Sequence, residues 1–291
     1  MKNLKEVLQD AHDRNIAIGH FNFSNLEGLW AIVRAAKNIG VPVILGLSEG
    51  ERDFVGVKTA VALVKSVREE LDHPVFLNAD HTYSVERVVE AAHAGFDAVI
   101  YDGAKLGAEE NIKNTKEAVQ KAKEINPNIL VEAELGYIGS SSKLLETSDF
   151  EAMKAELEKN LTTPEAAEHF VKETGVDLFA PAVGNLHGRI LNMPNPRLYI
   201  DHIKAIGGRV SVPLVLHGGS GISDEDFTQA ILSGIRIVHI NTEVREVFRD
   251  TLKTTLTQGD MHEVAPYKFL APARMAMEEA VVKRLKLFSS K

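Results

Sequence analysis

The sequence predicts an α/β fold, a single (β/α)8 barrel domain spanning residues 1–291. Three observations predict it. Short β-branched apolar runs recur eight times, each followed by a longer segment with helical spacing and polar punctuation. Runs such as VPVILGL and VPLVLH are apolar at nearly every position rather than alternating, as expected of parallel strands covered on both faces. The 291 residues slightly exceed the ~250 typical of a closed barrel, and no Pro/Gly/Ser-rich linker, low-complexity tract or close repeat divides them.

In chain order the expected strands are Ile16 to Phe23, Val41 to Ser48, Pro74 to Asp80, Ala98 to Asp102, Ile129 to Leu135, Leu178 to Gly184, Pro213 to His217 and Ile237 to Thr242. The segment LEGLWAIVRAAKNIG reads as an amphipathic helix closing at Gly40, and SVERVVEAAHAGF as one capped by Ser84 and closing at Gly95. The longest connection, Gly139 to Pro164, holds the polar run SSSK before a helical stretch EAMKAELEKN, and is a candidate mobile active-site loop. A last helix begins near Pro272 and packs outside the barrel.

Composition bounds the partners. Hydrophobic residues at 44% and charged residues at 25% exclude a disordered or coiled-coil chain. A net charge of −8 with no block of like charge argues against a nucleic-acid or anionic-membrane surface, so any positive site is local. The absence of cysteine excludes thiolate ligands, disulfides and a Cys nucleophile. The charged start, MKNLKEVLQDAHDRN, has no apolar core of a signal peptide, and no run is long enough to span a membrane; a soluble, cytoplasmic protein is expected.

In such a barrel the working residues sit at the C-terminal ends of the strands and on the loops that follow. Three of the eleven histidines fall there: His81 after the third run, His187 after the sixth and His217 at the end of the seventh. Three imidazoles with one open position form a catalytic zinc geometry, whereas separately each is equally a histidine bonded to local backbone. The stretch His217-Gly218-Gly219-Ser220-Gly221 and the pair Asn241-Thr242 occupy the loops after strands seven and eight, where backbone N–H groups and hydroxyls can cradle a phosphate. The glycines equally allow a plain tight turn. Asp80, beside His81, is either a general acid/base or a helix cap. On an alternating strand the two would point to opposite sides; at a strand end that alternation is lost, and Asp80 can reach the substrate. Glu132 and Glu134 share one strand face, and two buried carboxylates side by side call for a cation or donors.

These residues and motifs resemble the class II, metal-dependent ketose-bisphosphate aldolases, the family of fructose- and tagatose-bisphosphate aldolases. The likeness runs through AIGHFNFSNLE, PVFLNADHTYS, AGFDAVIYDGA, ENIKNTKEAV, VEAELG, AVGNLHG, VPLVLHGGSGI and NTEVR in the family's order. The resemblance implies that His81, His187 and His217 hold Zn²⁺, and that Asp80 is the acid/base at the substrate C4 hydroxyl. Glu134 would be a metal-proximal carboxylate or alternate ligand, and Glu132 would support a ligand histidine. Gly188, Gly218, Ser220, Asn241 and Thr242, with neighbouring Gly219, would bind one phosphate, and Ser48 would contact substrate. A monovalent cation, Na⁺ or K⁺, near the glycines after strands six and seven is a further implication, as is a dimeric or tetrameric homo-oligomer. The implied reaction is reversible cleavage of a phosphorylated ketose to dihydroxyacetone phosphate and an aldehyde.

Three positions depart from the family pattern. The stretch after VEAELG reads GYIGSSSKLLE, so the loop acid is either missing or displaced to Glu146. His239 stands where the family has Asn, three residues before the phosphate-binding Thr, and adds a bulkier, titratable ring to that pocket. Arg189 follows Gly188 directly, either taking a phosphate contact or lying in solvent. The departures leave two further readings: an isomerase or epimerase of phosphosugars using the same chemistry, or a catalytically weakened phosphosugar-binding homologue.

Overall fold

The computed structural model describes residues 2–139, 143–146, 150–260 and 262–291. Eight parallel strands close into a barrel: β1 (Ile18–Asn22), β2 (Val43–Leu47), β3 (Val75–Thr82), β4 (Ala98–Tyr101), β5 (Leu130–Leu135), β6 (Leu178–Pro181), β7 (Leu214–Leu216) and β8 (Ile235–His239). Each strand pairs with its neighbours in sequence, and β1 pairs with β8 to seal the ring, Ile18 opposite Ile237 and His20 opposite His239. Helices occupy the crossovers, as the continuous apolar runs require.

Every expected strand forms, with shifted ends. The eighth begins at Ile235, two residues early, because Arg236 is buried and its guanidinium donates to the carbonyls of Ile231 and Ile235 instead of marking a loop. It also stops at His239. Asn241 and Thr242 belong to the start of the helix Thr242–Gln258, not to the strand. The sixth strand likewise ends at Pro181, short of Gly184. The helices Leu26–Ile39 and Val85–Ala94 open on Asn25 and Ser84, whose side chains accept the N–H groups of Gly28 and Arg87. They end at Gly40 and Gly95 as expected. The final helix, Ala271–Ser289, buries Met277, Val281, Leu285 and Phe288 and lies along Leu26–Ile39 on the barrel exterior.

Period-two alternation fills the barrel in layers. At the N-terminal ends of the strands, Ile18, Ile44, Phe76, Ala98, Leu130, Leu178, Val215 and Ile237 form an apolar floor. The charged opening segment is the helix Leu4–Asp13, which seals that floor with Leu4, Val7, Leu8 and Ala11. Asn3 and Glu6 form a reciprocal capping box that starts it. Each fully buried Leu or Val contributes about 1.5–3 kcal/mol, so this plug is worth several such contributions. One step further along the strands the interior turns polar.

The long connection after β5 contains Leu144–Leu145, which pairs in parallel with Arg189–Ile190 in the connection after β6. The expected helical stretch is present as Phe150–Lys159. The three serines of SSSK lie outside the described residues.

Candidate active site

The second interior layer holds His20, Asn78, Glu132, His217 and His239, and the third holds Asn22, Asp80 and Glu134, all buried. The two glutamates face inward together, as their spacing predicts. Asp80 and His81 do not alternate. Between Ala79–Val99 and Thr82–Tyr101 the β3–β4 register shifts by one residue, and His81 adopts a left-handed backbone with φ +41°. That bulge turns two consecutive side chains toward the same cavity.

His81, Glu134, His187 and His217 bring one donor atom each within 4.8 Å of one another. The three imidazoles meet edge to face, with centroids 4.8 Å apart for His81–His187, 5.1 Å for His81–His217 and 5.8 Å for His187–His217. Glu134 Oε1 lies 3.2 Å from His81 Nδ1 and 3.3 Å from His217 Nδ1. Two of the three rings have a supporting carboxylate: His81 Nδ1 is 2.9 Å from Asp102 Oδ2, and His217 Nε2 is 2.7 Å from Glu132 Oε1. Carboxylate support of this kind is what metal-ligating imidazoles have. The donors therefore fit a divalent ion. Glu134 Oε1 and His217 Nδ1 are buried with no hydrogen-bond partner, so these two atoms need a cation or proton between them.

The electrostatics agree. Burial pushes the Glu134 carboxyl up to about 7, with Asp102 and Glu132 adding to the rise against the opposing histidines. Burial works against a charged His81, but Asp80, Glu134 and Asp102 outweigh it and hold that imidazolium to about 10. His187, desolvated and facing His81 and His217, is held far below the ordinary imidazole range and offers a free lone pair. Asp80 is buried, which alone would raise it, yet His81, His239 and His20 keep it well below the usual carboxylate range. Its Oδ2 accepts the Asn22 amide at 2.8 Å and its Oδ1 is unpartnered. A charged carboxylate with one free oxygen is poised to accept a proton.

Beside this cluster a small pocket is lined by Gly188, Gly218, Gly219, Ser220, His239, Asn241 and Thr242 together with the three histidines. The helix Thr242–Gln258 starts at the pocket wall with Asn241 and Thr242, and a helix N-terminus favours anions. Gly218 has φ +65°, and a Cβ on it would sit 2.4 Å from the Leu186 carbonyl oxygen, so the turn admits no side chain. Ser220 Oγ accepts the Glu243 N–H and keeps its own hydroxyl proton to donate. Gly219 differs, because its N–H donates to the His239 carbonyl and is spent on the turn. A wider cleft of about 280 Å³ opens over Asp80, His81 and Glu134 and includes Ser48, Asp102 and Arg245 in its walls.

A zinc-ligand-like cluster, a carboxylate base and an anion cradle at the C-terminal mouth of one barrel narrow the family. The model of the class II fructose-bisphosphate aldolase family matches residues 2–291. The chain belongs to that family. A probable fructose-bisphosphate aldolase of Bacillus subtilis is 35% identical over 99% of this chain and 97% of its own length. The fructose-bisphosphate aldolase of Staphylococcus aureus is 34% identical over the same shares. Among solved structures, the YdjI aldolase of Escherichia coli K12 superposes with a TM-score of 0.81 at 31% identity, covering all of this chain and 98% of that one. A fructose-1,6-bisphosphate aldolase described as putative, from Coccidioides immitis, gives 0.82 at 28% identity, covering 99% and 96%. As a class II aldolase the chain is a carbon–carbon lyase, which favours cleavage over isomerisation or passive binding of a phosphosugar.

At two of the departures from the aldolase pattern the residues stand away from the cluster. Arg189 is not among the residues lining the phosphate cradle, nor does it lie free in solvent: its guanidinium pairs with Glu246 at 2.5 Å. Glu146 is exposed and lines neither the cleft nor the cradle. Ser48 is at the cleft wall, but its hydroxyl donates to Glu51 Oε2 and it starts the helix Glu49–Val55. His239 is central: its ring stacks on His217 at 4.0 Å and on His20 at 3.5 Å.

Several members of the site escaped the sequence reading. Asp102 ends its strand as Asp80 and His217 do and was legible by the same rule. Asn22 and His20 lie in β1 at alternate positions that face inward, and stood in plain view in the run Ile16 to Phe23 as its two polar residues at period-two spacing. Arg52, fully buried, donates to the carbonyls of Leu47 and Asp80 and fixes the ends of β2 and β3; nothing local in the sequence marks it.

Proposed function

We propose that this aldolase is zinc-dependent and cleaves a phosphorylated ketose, of the fructose- or tagatose-1,6-bisphosphate kind, to dihydroxyacetone phosphate and an aldehyde. The observation that carries the reading is the convergence of His81, Glu134, His187 and His217 donors within 4.8 Å next to the anion cradle. Bound among the three histidines, with Glu134 as a neighbouring or alternate ligand, Zn²⁺ supplies a Lewis acid for the ketone carbonyl.

The protein's own groups perform the remaining work. The helix start at Thr242, the Ser220 hydroxyl and the backbone of Gly188 and Gly218 hold the phosphate and thereby fix the substrate's register in the cleft. Asp80, through its free Oδ1, takes the C4 hydroxyl proton; the C3–C4 electron pair stays with the C3 fragment as the aldehyde leaves. The enediolate so formed takes a proton at C3 from water to give dihydroxyacetone phosphate, and Asp80 returns the C4 proton to solvent. Glu132 and Asp102 keep His217 and His81 oriented throughout. A monovalent cation, Na⁺ or K⁺, beside the glycines after β6 and β7 completes the phosphate site in this reading.

The chain is read as one domain working in the cytoplasm as a homo-oligomer. Leu256, Val264, Tyr267 and Met275 leave large apolar side chains exposed in one C-terminal stretch, which suits a subunit contact. Among the described residues no helix is long and apolar enough to cross a membrane. The test is metal analysis combined with a coupled triose-phosphate assay on wild type and His217→Ala. Zinc in wild type, triose phosphate released, and loss of both in the variant are expected; sugar phosphates turned over without triose release would overturn aldol cleavage.

A further inference from the structure

Arg52 is 1% exposed and stands among the largest fully buried side chains of the chain, the others being aromatic or aliphatic. Its carboxylate neighbour, Glu49, has Oε1 3.9 Å from Nη2, beyond hydrogen-bond reach. Burial weakens the hold of the guanidinium on its proton, and Glu49 and Asp80 offset that only in part. Taking a charge out of water on these terms costs stability, and an apolar side chain of similar volume would avoid the cost. The hydrogen bonds of Arg52 show what the charge is used for.

Nη1 donates to the Leu47 carbonyl at 2.7 Å and to the Asp80 carbonyl at 2.9 Å, and Nη2 donates to Thr82 Oγ1 at 3.0 Å. Thr82 Oγ1 in turn donates to the Ala79 carbonyl at 3.3 Å. The guanidinium therefore grips β3 on both sides of His81, at the residue before it and the residue after it, and fastens both to the end of β2. Between them His81 holds φ +41°, a conformation that a residue with a side chain keeps only when its surroundings enforce it. This is the same stretch over which the register against β4 shifts. The next backbone group is held from the same short helix, the Tyr83 N–H donating to Glu49 Oε1 at 2.9 Å. Reaching a carbonyl from each strand and a hydroxyl at once takes a planar fork of donors; an ammonium, a single point of charge, does not span them.

We infer that Arg52 is a positioning residue of the aldol chemistry: by holding the bulge in β3 it aims Asp80 at the substrate and His81 at the metal cluster together. It lines neither the cleft nor the anion cradle, so it acts through the backbone it grips. The inference rests on Asp80 as base and His81 as ligand, and is independent of which ketose is cleaved.

The experiment compares wild type, Arg52→Met and Arg52→Lys in the full chain. Zn²⁺ affinity is read by competition with a chelator, ligand geometry by visible absorption after Co²⁺ loading, inorganic phosphate affinity by calorimetry, and kcat and KM by triose release at saturating Zn²⁺. In Arg52→Met, Zn²⁺ affinity is expected to fall about 10–100-fold, as when the support of a ligand is removed. Its kcat is expected to fall about 10²-fold with KM little changed, the effect of a displaced catalytic group, and the Co²⁺ bands to shift. Phosphate affinity is expected to stay, because the hydrogen bonds of Arg52 do not reach the connections after β6, β7 and β8, and its retention also shows that the variant folds. Arg52→Lys is expected to show the same losses to a lesser degree, and is read in place of Arg52→Met should that variant not fold. Wild-type metal affinity and kcat in Arg52→Met overturn the inference, as does phosphate binding lost in step with metal, which assigns Arg52 to the scaffold alone. Two variants that both fail to fold overturn it in the same way. A wild type that releases no triose contradicts aldol cleavage instead, and the Zn²⁺ and Co²⁺ comparisons then decide the role of Arg52 by themselves.

Discussion

Glu132 Oε1 faces His217 Nε2 at 2.7 Å, both side chains buried in the barrel interior. A neutral imidazole in that contact donates its Nε2–H to the carboxylate and turns the Nδ1 lone pair toward Glu134, 3.3 Å away. Glu132→Gln preserves shape and removes the charge. Metal affinity, measured by competition with a chromophoric chelator, is expected to fall about 10–100-fold. Unchanged affinity would remove Glu132 from the support of the ligand.

Asp80→Asn keeps the hydrogen bond from Asn22 while abolishing the base. Its kcat is expected to drop about 10²–10⁴-fold with bound metal retained. A variant that lost metal in proportion to activity would assign Asp80 a structural role at the cluster instead.

Gly218→Ala tests the cradle. With φ +65° and only 2.4 Å between the new Cβ and the Leu186 carbonyl oxygen, the loop must shift, at about 1–3 kcal/mol for a strained backbone. Binding of inorganic phosphate, followed by calorimetry, is expected to weaken along with KM for the ketose phosphate. Wild-type phosphate affinity in this variant would place the anion elsewhere.

Metal uptake has a predictable pH dependence. In the metal-free protein the His81 imidazolium persists to about 10, against an ordinary 6.5, because Asp80, Glu134 and Asp102 outweigh the effect of burial. A ligand nitrogen must shed its proton, so uptake between those pH values releases H⁺ and tightens as pH rises, about tenfold per unit for each proton displaced. The same shift, being upward, adds folding stability that is complete below pH 6.5 and is lost as pH climbs through about 10. Calorimetric titration in buffers of different ionisation enthalpy reads the released proton; identical heats in all buffers would contradict the shift.

Leu8→Ala probes the plug. Leu8 is 2% exposed in the apolar floor, and its truncation is expected to cost about 2–5 kcal/mol in urea denaturation while KM stays constant. The floor lies at the opposite end of the strands from the cleft.

The barrel was legible because burial on both faces leaves a plain mark, an apolar run of strand length ended by Asp, His or Gly. His81, His187 and His217 were legible for the same reason, each lying at or just past a strand end. What escaped depends on contacts far apart in sequence. His20 reads as one more residue of a buried strand until Gly46, in the next strand, is seen to make room for its ring. Arg236 looks like a loop residue because its carbonyl partners are set by the fold. The opening helix was hidden by its charges, four apolar residues being enough once a floor exists to receive them. On a regular strand Asp80 and His81 would diverge, at a strand end that alternation is lost, and the register shift against β4 shows how they converge.

The three imidazoles of the triad are not mounted alike. His81 and His217 extend from the rigid staves of the barrel, whereas His187 hangs on a strip stitched to the connection after β5: its N–H meets the Ile138 carbonyl, that of Arg189 meets Lys143, and that of Leu191 meets Leu145. An ion shared by all three is thus also a clasp, fastening this strip to the wall. Stripping the ion should loosen residues 187–191 and 143–145 as one piece, with faster amide exchange there and none of that change in β3 or β7.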